Sequence, residues 1–110
     1  MERIEKPWGY EIVLKRGAGI AIKELHIKQG EKISVQSHVQ KNEVWMIAEG
    51  PAAVVFSKQA WRLAQAGEII LIPAGTVHCV WAKDNDVVIW EMQHGSDDDI
   101  IRYYDKYGRQ

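Results

Sequence analysis

The sequence contains little from which a disulfide, a membrane helix or an interdomain linker could be built. Its 110 residues include one cysteine, Cys79, which has no second thiol to pair with. The longest apolar run is far below the roughly 20 residues that a membrane helix needs, and no basic start followed by an apolar run indicates a signal peptide. The three prolines and nine glycines are spread along the chain without a low-complexity stretch. We therefore expect one domain over residues 1–110, in the reducing cytoplasm and without a membrane partner.

The sequence also lacks an excess of charge of either sign. Fourteen Lys and Arg residues against fifteen Asp and Glu give a formal net charge of −1, so no overall positive field attracts a nucleic-acid backbone. Apolar residues make up 46% of the chain and charged residues 26%, which is typical of a compact domain. The composition therefore excludes a disordered tail and a general polyanion binder.

Short segments rich in Val, Ile and Trp recur along the chain between Gly, Pro, Asn or Asp, which is the pattern of β-strands. No segment before residue 96 has the periodicity of a crossover helix, so consecutive strands are expected to be antiparallel. So many short strands in a small domain favour a sandwich or a barrel. The predicted strands are Tyr10–Lys15, Ile20–Lys28, Lys32–His38, Glu43–Ala48, Ala52–Ser57, Trp61–Ala64, Ile69–Ile72, Val77–Ala82 and Asp86–Gln93.

The C-terminal segment has a different pattern. Three Asp residues at positions 97–99 precede Ile100, Ile101, Tyr104 and Tyr107, which have a helix-like spacing. Acidic residues at a helix N-terminus satisfy its free N–H groups and suit its dipole. The pattern predicts a short C-terminal helical segment, with the Asp run as its cap rather than as a metal site.

A candidate metal site lies where two predicted strands meet. Strand alternation places Gln36 and His38 on one face, and Glu43 begins the next strand after a four-residue turn. These three side chains can converge on one point, and their donor atoms suit Zn, Mn, Fe, Co or Ni. Farther on, the turn Pro73-Ala74-Gly75 precedes His78 at the start of another strand. If that strand lies beside the one that carries Gln36, His78 can be the fourth ligand.

These two spacings resemble the two motifs of the cupin superfamily. The first motif reads Gly30-X5-Gln36-Ser37-His38-X4-Glu43-X6-Gly50, and the second reads Gly67-X5-Pro73-Ala74-Gly75-X2-His78. The resemblance implies a small antiparallel β-barrel of the jelly-roll type, with a divalent metal held inside by Gln36, His38, Glu43 and His78. Zn is the first candidate, with Mn, Fe, Co and Ni as alternatives. The resemblance also implies a homodimer.

Within the cupins, the sequence is similar to the type II mannose-6-phosphate isomerases, which have the same Gln-X-His start. The similarity covers nearly the whole chain. The similar segments are Lys6-Pro7-Trp8-Gly9-Tyr10-Glu11, Ser34-Val35-Gln36-Ser37-His38, Glu43-X-Trp45, Ile72-Pro73-Ala74-Gly75-Thr76-Val77-His78, Glu91-X-Gln93-X-Gly95 and Asp98-Asp99-Ile100-X-Arg102-X2-Asp105-X-Tyr107-Gly108-Arg109.

This resemblance implies interconversion of mannose 6-phosphate and fructose 6-phosphate, with a phosphosugar as the small-molecule partner. Such a reaction needs a base, an oxyanion stabiliser and a phosphate anchor. We assign Lys41, Arg102 and Arg109 to the phosphate or the oxyanion. Glu91 is assigned to the proton transfer, a role that Glu43 can share. The family usually has Arg where Lys41 stands, and Lys lacks the planar fork of Arg. A phosphosugar-binding cupin without catalysis and a metallo-cupin with oxygenase or epimerase chemistry are the alternatives.

A structural role is the alternative for several of these residues. Arg102 and Arg109 can hold the C-terminal segment against the barrel through ion pairs. The candidate partners are Asp98, Asp99 and Asp105. The four metal residues can likewise belong to a cupin that has lost its metal.

Overall fold

The computed structural model describes residues 1–56, 60–96 and 99–108. Within those ranges the chain forms β-strands and no helix, so none of these residues belongs to a helix that could cross a membrane. The all-β class predicted from the sequence is confirmed. The strands are β1 (Glu2–Lys6), β2 (Gly9–Gly17), β3 (Ile20–Ile27), β4 (Val35–Ser37), β5 (Asn42–Glu49), β6 (Ala52–Phe56), β7 (Arg62–Ala64), β8 (Ile69–Ile72), β9 (His78–Trp81), β10 (Val87–His94) and β11 (Ile101–Tyr104).

The strands form two antiparallel sheets, and the expectation of one closed barrel is wrong for the described residues. Sheet A has the order β1-β2-β3-β10-β5-β8, and sheet B has the order β11-β4-β9-β6-β7. Each sheet ends in strands that pair on one side only. The sheets instead share one hydrophobic core, to which Trp45 and Ile47 of sheet A and Val54 and Val80 of sheet B contribute.

The nine predicted strands correspond to β2 through β10, and the sequence pattern missed β1. Four of the five β1 residues are charged, so the segment has no apolar alternation that could reveal it. It becomes a strand because it pairs with β2 as an antiparallel hairpin, from Glu2 opposite Val13 to Lys6 opposite Gly9. Charged side chains suit this position, since β1 is an edge of sheet A.

The predicted C-terminal helical segment is wrong, because residues 101–104 form β11. This strand pairs antiparallel with β4, where Ile101 lies opposite Ser37 and Arg102 opposite Gln36. The segment is rich in Ile and Tyr, which pack well on a sheet, and the pairing satisfies main-chain groups of β4 that would otherwise lie on an edge. Two of the three Asp residues, at positions 97 and 98, lie outside the described residues.

The inward face of β10 changes from apolar to polar along the strand, and this change positions the site. Val87 and Ile89 are part of the hydrophobic core, whereas Glu91 and Gln93 are buried polar residues farther along the same face. Strand pairing sets Gln93 opposite Glu43. Polar side chains from neighbouring strands are thus collected at one end of the space between the sheets.

Candidate functional site

Three of the four predicted metal residues converge between the two sheets. His38 follows β4, Glu43 lies on β5 and His78 begins β9, and one ligand atom from each lies within 4.8 Å of the others. All three side chains are buried. The adjacency that the sequence could not establish is present, because β4 pairs with β9 with Gln36 opposite His78.

Both imidazole rings are held so that Nε2 faces the cluster. Nδ1 of His78 donates to the carbonyl oxygen of Thr76 at 2.9 Å, and Nδ1 of His38 donates to that of Asp99 at 2.5 Å. Neither Nε2 atom has a hydrogen-bond partner among the described residues, although that of His38 lies 2.6 Å from Oε1 of Glu43. Burial lowers the pKa of His78, which favours the neutral form that binds metals. Two unpartnered buried nitrogens beside a carboxylate fit a divalent ion.

Gln36, the fourth predicted metal residue, lines the same cavity. Its Oε1 accepts a hydrogen bond from the hydroxyl of Ser34 at 2.8 Å, which fixes the orientation of the amide. An amide oxygen has two lone pairs, so one remains for a metal. A ligand role for Gln36 stays a prediction.

The predicted proton carrier, Glu91, lies next to Glu43 at the indole of Trp45. Nε1 of Trp45 donates to Oε1 of Glu91 at 2.9 Å and to Oε2 of Glu43 at 3.0 Å. Burial and the hydrogen bond and charge of Glu43 raise the pKa of Glu91 well above its ordinary value. Burial also disfavours the charged form of Glu43, but the hydrogen bond from Glu91, the nearby His38 and the charge of Lys41 together lower its pKa. Of the two carboxyl groups, Glu91 is thus the one that binds a proton more readily.

The predicted cationic residues have different surroundings. Lys41 is buried, with Nζ 3.7 Å from Oε1 of Glu43 and 3.4 Å from Oε1 of Gln93. Arg102 lines the cavity, and its buried Nε has no hydrogen-bond partner among the described residues. Arg109 lies outside the described residues. Lys41 therefore lies beside Glu43 in the candidate metal site, whereas Arg102 has a donor to offer to a ligand.

Asp99 contributes to the site in a way that the sequence did not predict. Its carboxylate accepts the main-chain N–H groups of Val39 at 3.0 Å, Gln40 at 2.6 Å and Lys41 at 2.8 Å. These hydrogen bonds, led by that of Gln40, lower the pKa of Asp99. The Asp run was expected to cap its own helix. Asp99 instead holds the turn between His38 and the next strand, about 60 residues away, and no local signal could have indicated this.

A second missed feature is the buried ion pair between Glu11 and Lys23, whose Oε1 and Nζ atoms lie 3.5 Å apart at the cavity wall. Strand alternation could have revealed Lys23, which lies in phase with the buried residues Ala21 and Leu25. The cavity has a volume of about 290 Å³, close to the lower end of small-molecule sites at about 300 Å³. The cavity wall therefore combines apolar, acidic and basic groups around the candidate metal site.

Comparison with known proteins identifies relatives over almost the whole chain. Residues 1–105 match the family described as mannose-6-phosphate isomerase C-terminal. The mannose-1-phosphate guanylyltransferase ManC of Salmonella typhimurium is 32% identical over 110 residues, which are 96% of this chain and 23% of that protein. The xanthan biosynthesis protein XanB of Xanthomonas campestris is 29% identical over 111 residues, 97% of this chain and 24% of that protein. The chain thus spans about a quarter of the length of these relatives.

Solved structures show the same fold. KdgF from Halomonas sp. has a TM-score of 0.77 and 14% sequence identity, over 90% of this chain and 92% of that one. A cupin-2 domain from Rhodospirillum rubrum has a TM-score of 0.74 and 18% identity, over 84% of this chain and 64% of that one. Together with the family match, these likenesses confirm the resemblance seen in the two sequence motifs. The chain has a cupin fold and belongs to the mannose-6-phosphate isomerase C-terminal family.

Proposed function

We propose that this chain is a metal-dependent aldose–ketose isomerase that interconverts mannose 6-phosphate and fructose 6-phosphate. The observation that carries the proposal is the buried group of His38, Glu43 and His78, whose imidazole Nε2 atoms lack hydrogen-bond partners beside a cavity. Membership of the family and the unpartnered donor of Arg102 in the same cavity support this reaction.

The metal would be held by the four residues that the motifs indicate, Gln36, His38, Glu43 and His78. Their nitrogen and oxygen donors suit Zn²⁺, with Mn²⁺, Fe²⁺, Co²⁺ and Ni²⁺ as alternatives. When bound, such an ion is a Lewis acid that stabilises negative charge on a sugar oxygen.

The isomerisation moves a proton between C1 and C2 of the open-chain sugar through a cis-enediol, without net gain or loss of atoms. Glu91 is the proposed proton carrier because its carboxyl group lines the cavity and is held by the indole of Trp45. Lys41 is proposed to stabilise the oxyanion, since its ammonium group lies beside Glu43 of the proposed metal site. Arg102, together with Arg109 by resemblance, is proposed to bind the phosphate.

Elemental analysis and an assay of fructose 6-phosphate formation test this proposal. We expect the purified protein to contain a divalent metal and to convert mannose 6-phosphate, and the Gln36→Ala, His78→Ala double variant to lose both properties. Arg102→Gln is expected to raise KM for the phosphosugar. Its matched control is Arg62→Gln, because Arg62 bonds to Glu68 at the surface and does not line the cavity. Metal-loaded protein with no more activity than the double variant would refute isomerase function.

A phosphosugar-binding module without catalysis is the second candidate, and Lys41 is the observation that favours it. Lys41 stands where the family usually has Arg, and its ammonium group already contacts Glu43 and Gln93. In that case calorimetry would detect binding of mannose 6-phosphate without turnover, and Lys41→Arg would not create activity.

A further inference from the structure

The outer face of sheet B carries aromatic and lysine side chains that the proposed reaction does not use. Val80 of β9 belongs to the hydrophobic core, so Trp81 beside it points to the opposite face of the sheet. The centroid of the Trp61 ring lies 5.7 Å from that of the Trp81 ring, and the two planes are inclined by 59°. Two indoles, one phenol and two ammonium groups form the outer aromatic patch, which consists of Trp61, Trp81, Tyr104, Lys32 and Lys83.

Both lysines of the outer aromatic patch lie against its rings. Nζ of Lys32 is 5.1 Å from the centroid of the Tyr104 ring and 6.0 Å from that of Trp81. Nζ of Lys83 is 5.8 Å from the Trp81 centroid. These distances allow cation–π attraction, which holds each ammonium group beside an aromatic surface. Neither ammonium group forms an ion pair within the described part of the chain, so both charges are available to a ligand.

Sheet B also lacks the negative charge that would neutralise these lysines. Its five strands, as the structure describes them, contain no Asp and no Glu. In sheet A, by contrast, β1, β2, β3, β5 and β10 each contain at least one Glu. The whole chain has a net charge of −1, so the positive charge of the outer aromatic patch is local. Such a patch favours an anionic ligand of limited size rather than a long polyanion.

The rings of the outer aromatic patch are accessible to such a ligand. Tyr104 is 50% exposed and Trp61 42%, whereas Trp81 is half-buried. The register of β11 shifts between Arg102 and Tyr104, which lets Arg102 line the inner cavity while Tyr104 lies beside Lys32. Within the described residues, neither indole N–H group and not the phenol hydroxyl has a side-chain hydrogen-bond partner. The patch therefore offers flat apolar rings together with hydrogen-bond donors.

We propose that the outer aromatic patch binds an acidic oligosaccharide, a short chain of pyranose units that carry carboxylates. The C–H face of a pyranose packs on an aromatic ring, while oxygen atoms around the edge of the sugar accept hydrogen bonds from indole and phenol groups. A carboxylate on the same sugar pairs with the ammonium group of Lys32. Bases of single-stranded nucleic acid also stack on aromatic rings, but a strand with one phosphate per nucleotide requires a larger positive field than two lysines supply. The inference rests on this patch alone and is independent of the proposed function.

Isothermal titration calorimetry of the full chain with tetragalacturonate at low salt tests the proposal, with maltotetraose as the uncharged probe. We expect only the acidic tetrasaccharide to bind, with an affinity that falls as salt is added. Trp61→Ala is expected to weaken binding about tenfold, as loss of one stacking contact does, and Lys32→Gln by a similar factor through loss of a charged hydrogen bond. The matched controls are Trp90→Ala and Lys15→Gln, which change an exposed tryptophan and an exposed lysine of sheet A. Circular dichroism verifies that each variant is folded.

Five outcomes would overturn the proposal. The first is no heat of binding with tetragalacturonate at low salt, and the second is equal binding of maltotetraose. The third is unchanged affinity in folded Trp61→Ala and Lys32→Gln variants, the result expected if the oligosaccharide entered the inner cavity instead. The fourth is an equal loss in the sheet A controls. The fifth is tighter binding of a thymidine tetranucleotide than of tetragalacturonate, which would assign the patch to nucleic acid.

Discussion

Replacing Asp99 with alanine is expected to weaken metal binding by about 10- to 100-fold, the range typical of residues that orient metal ligands. The carboxylate of Asp99 accepts three consecutive main-chain N–H groups, those of Val39, Gln40 and Lys41. The main-chain carbonyl oxygen of Asp99 accepts a hydrogen bond from Nδ1 of His38. The substitution leaves this carbonyl in the chain but removes all three hydrogen bonds from the carboxylate to the turn that follows His38.

The size of the expected effect follows from the narrow tolerance of metal bonds. A divalent ion requires ligand distances within about 0.2 Å of their usual values, so a small relaxation of the turn is enough to weaken the bond to His38. Glu43 and His78 lie on β5 and β9, where strand pairing holds them independently of the turn. We therefore expect reduced affinity rather than loss of the site.

The dissociation constant for Zn²⁺ can be measured by competition with a chromophoric chelator, and the absorption of bound Co²⁺ reports the geometry of the ligands. Asp86→Ala is the matched control, because Asp86 accepts the main-chain N–H of Gln29 at 2.8 Å from a distant loop but does not line the cavity. If Asp99→Ala keeps wild-type affinity, or if Asp86→Ala loses as much, Asp99 does not position His38.

The remaining predictions concern stability. Cys79 is expected to resist thiol reagents at about pH 8 until the protein unfolds, since burial raises its pKa to about 12, and labelling of the native protein would contradict this. The pKa of Cys79 is higher in the folded state than in the unfolded state, so between about pH 9 and pH 12 the thiol ionises more readily in the unfolded chain. This difference lowers the free energy of unfolding as the pH rises toward 12. Cys79→Ala should therefore show a smaller fall in Tm over this pH range than the wild type. Gly9→Ala should lower Tm far more than Gly67→Ala. The Cβ added at position 9 collides with the carbonyl oxygen of His26, whereas the Cβ added at position 67 meets nothing within 4 Å. Similar decreases of Tm in the two variants would disprove this reasoning. Ile47→Ala should lower the free energy of unfolding in urea by about 2–5 kcal/mol, and a loss below about 1 kcal/mol would be inconsistent with its complete burial.

Most of the strands and the proximity of His38 to Glu43 were predictable because they depend on local patterns. Alternation of apolar residues predicted β2 through β10, since side chains of a strand point to alternate faces. The spacing from His38 to Glu43 is similarly local, because a short turn brings two successive strands together. The assignment of His78 needed the family resemblance, since only the pairing of β4 with β9 brings it to the other two residues.

The C-terminal segment shows where local patterns fail. Ile101 and Tyr104 have a spacing that suits a helix as well as a strand, and the free edge of β4 decides between them. The closed barrel was expected from the resemblance, whereas the pairing of the described strands leaves two sheets with separate edges. Both outcomes depend on main-chain hydrogen bonds between segments far apart in sequence, which periodicity does not encode.

The sequence by itself determined the all-β class, most of the strands, the family and the residues of the candidate metal site. Their evidence lies in neighbouring residues and in motif spacing. Only the tertiary structure decided that Asp99 holds the turn after His38, that Lys23 pairs with Glu11 in the cavity wall, and that β11 pairs with β4. Each of these features requires the relative positions of separate strands, which are set by packing and by the register of long-range pairs.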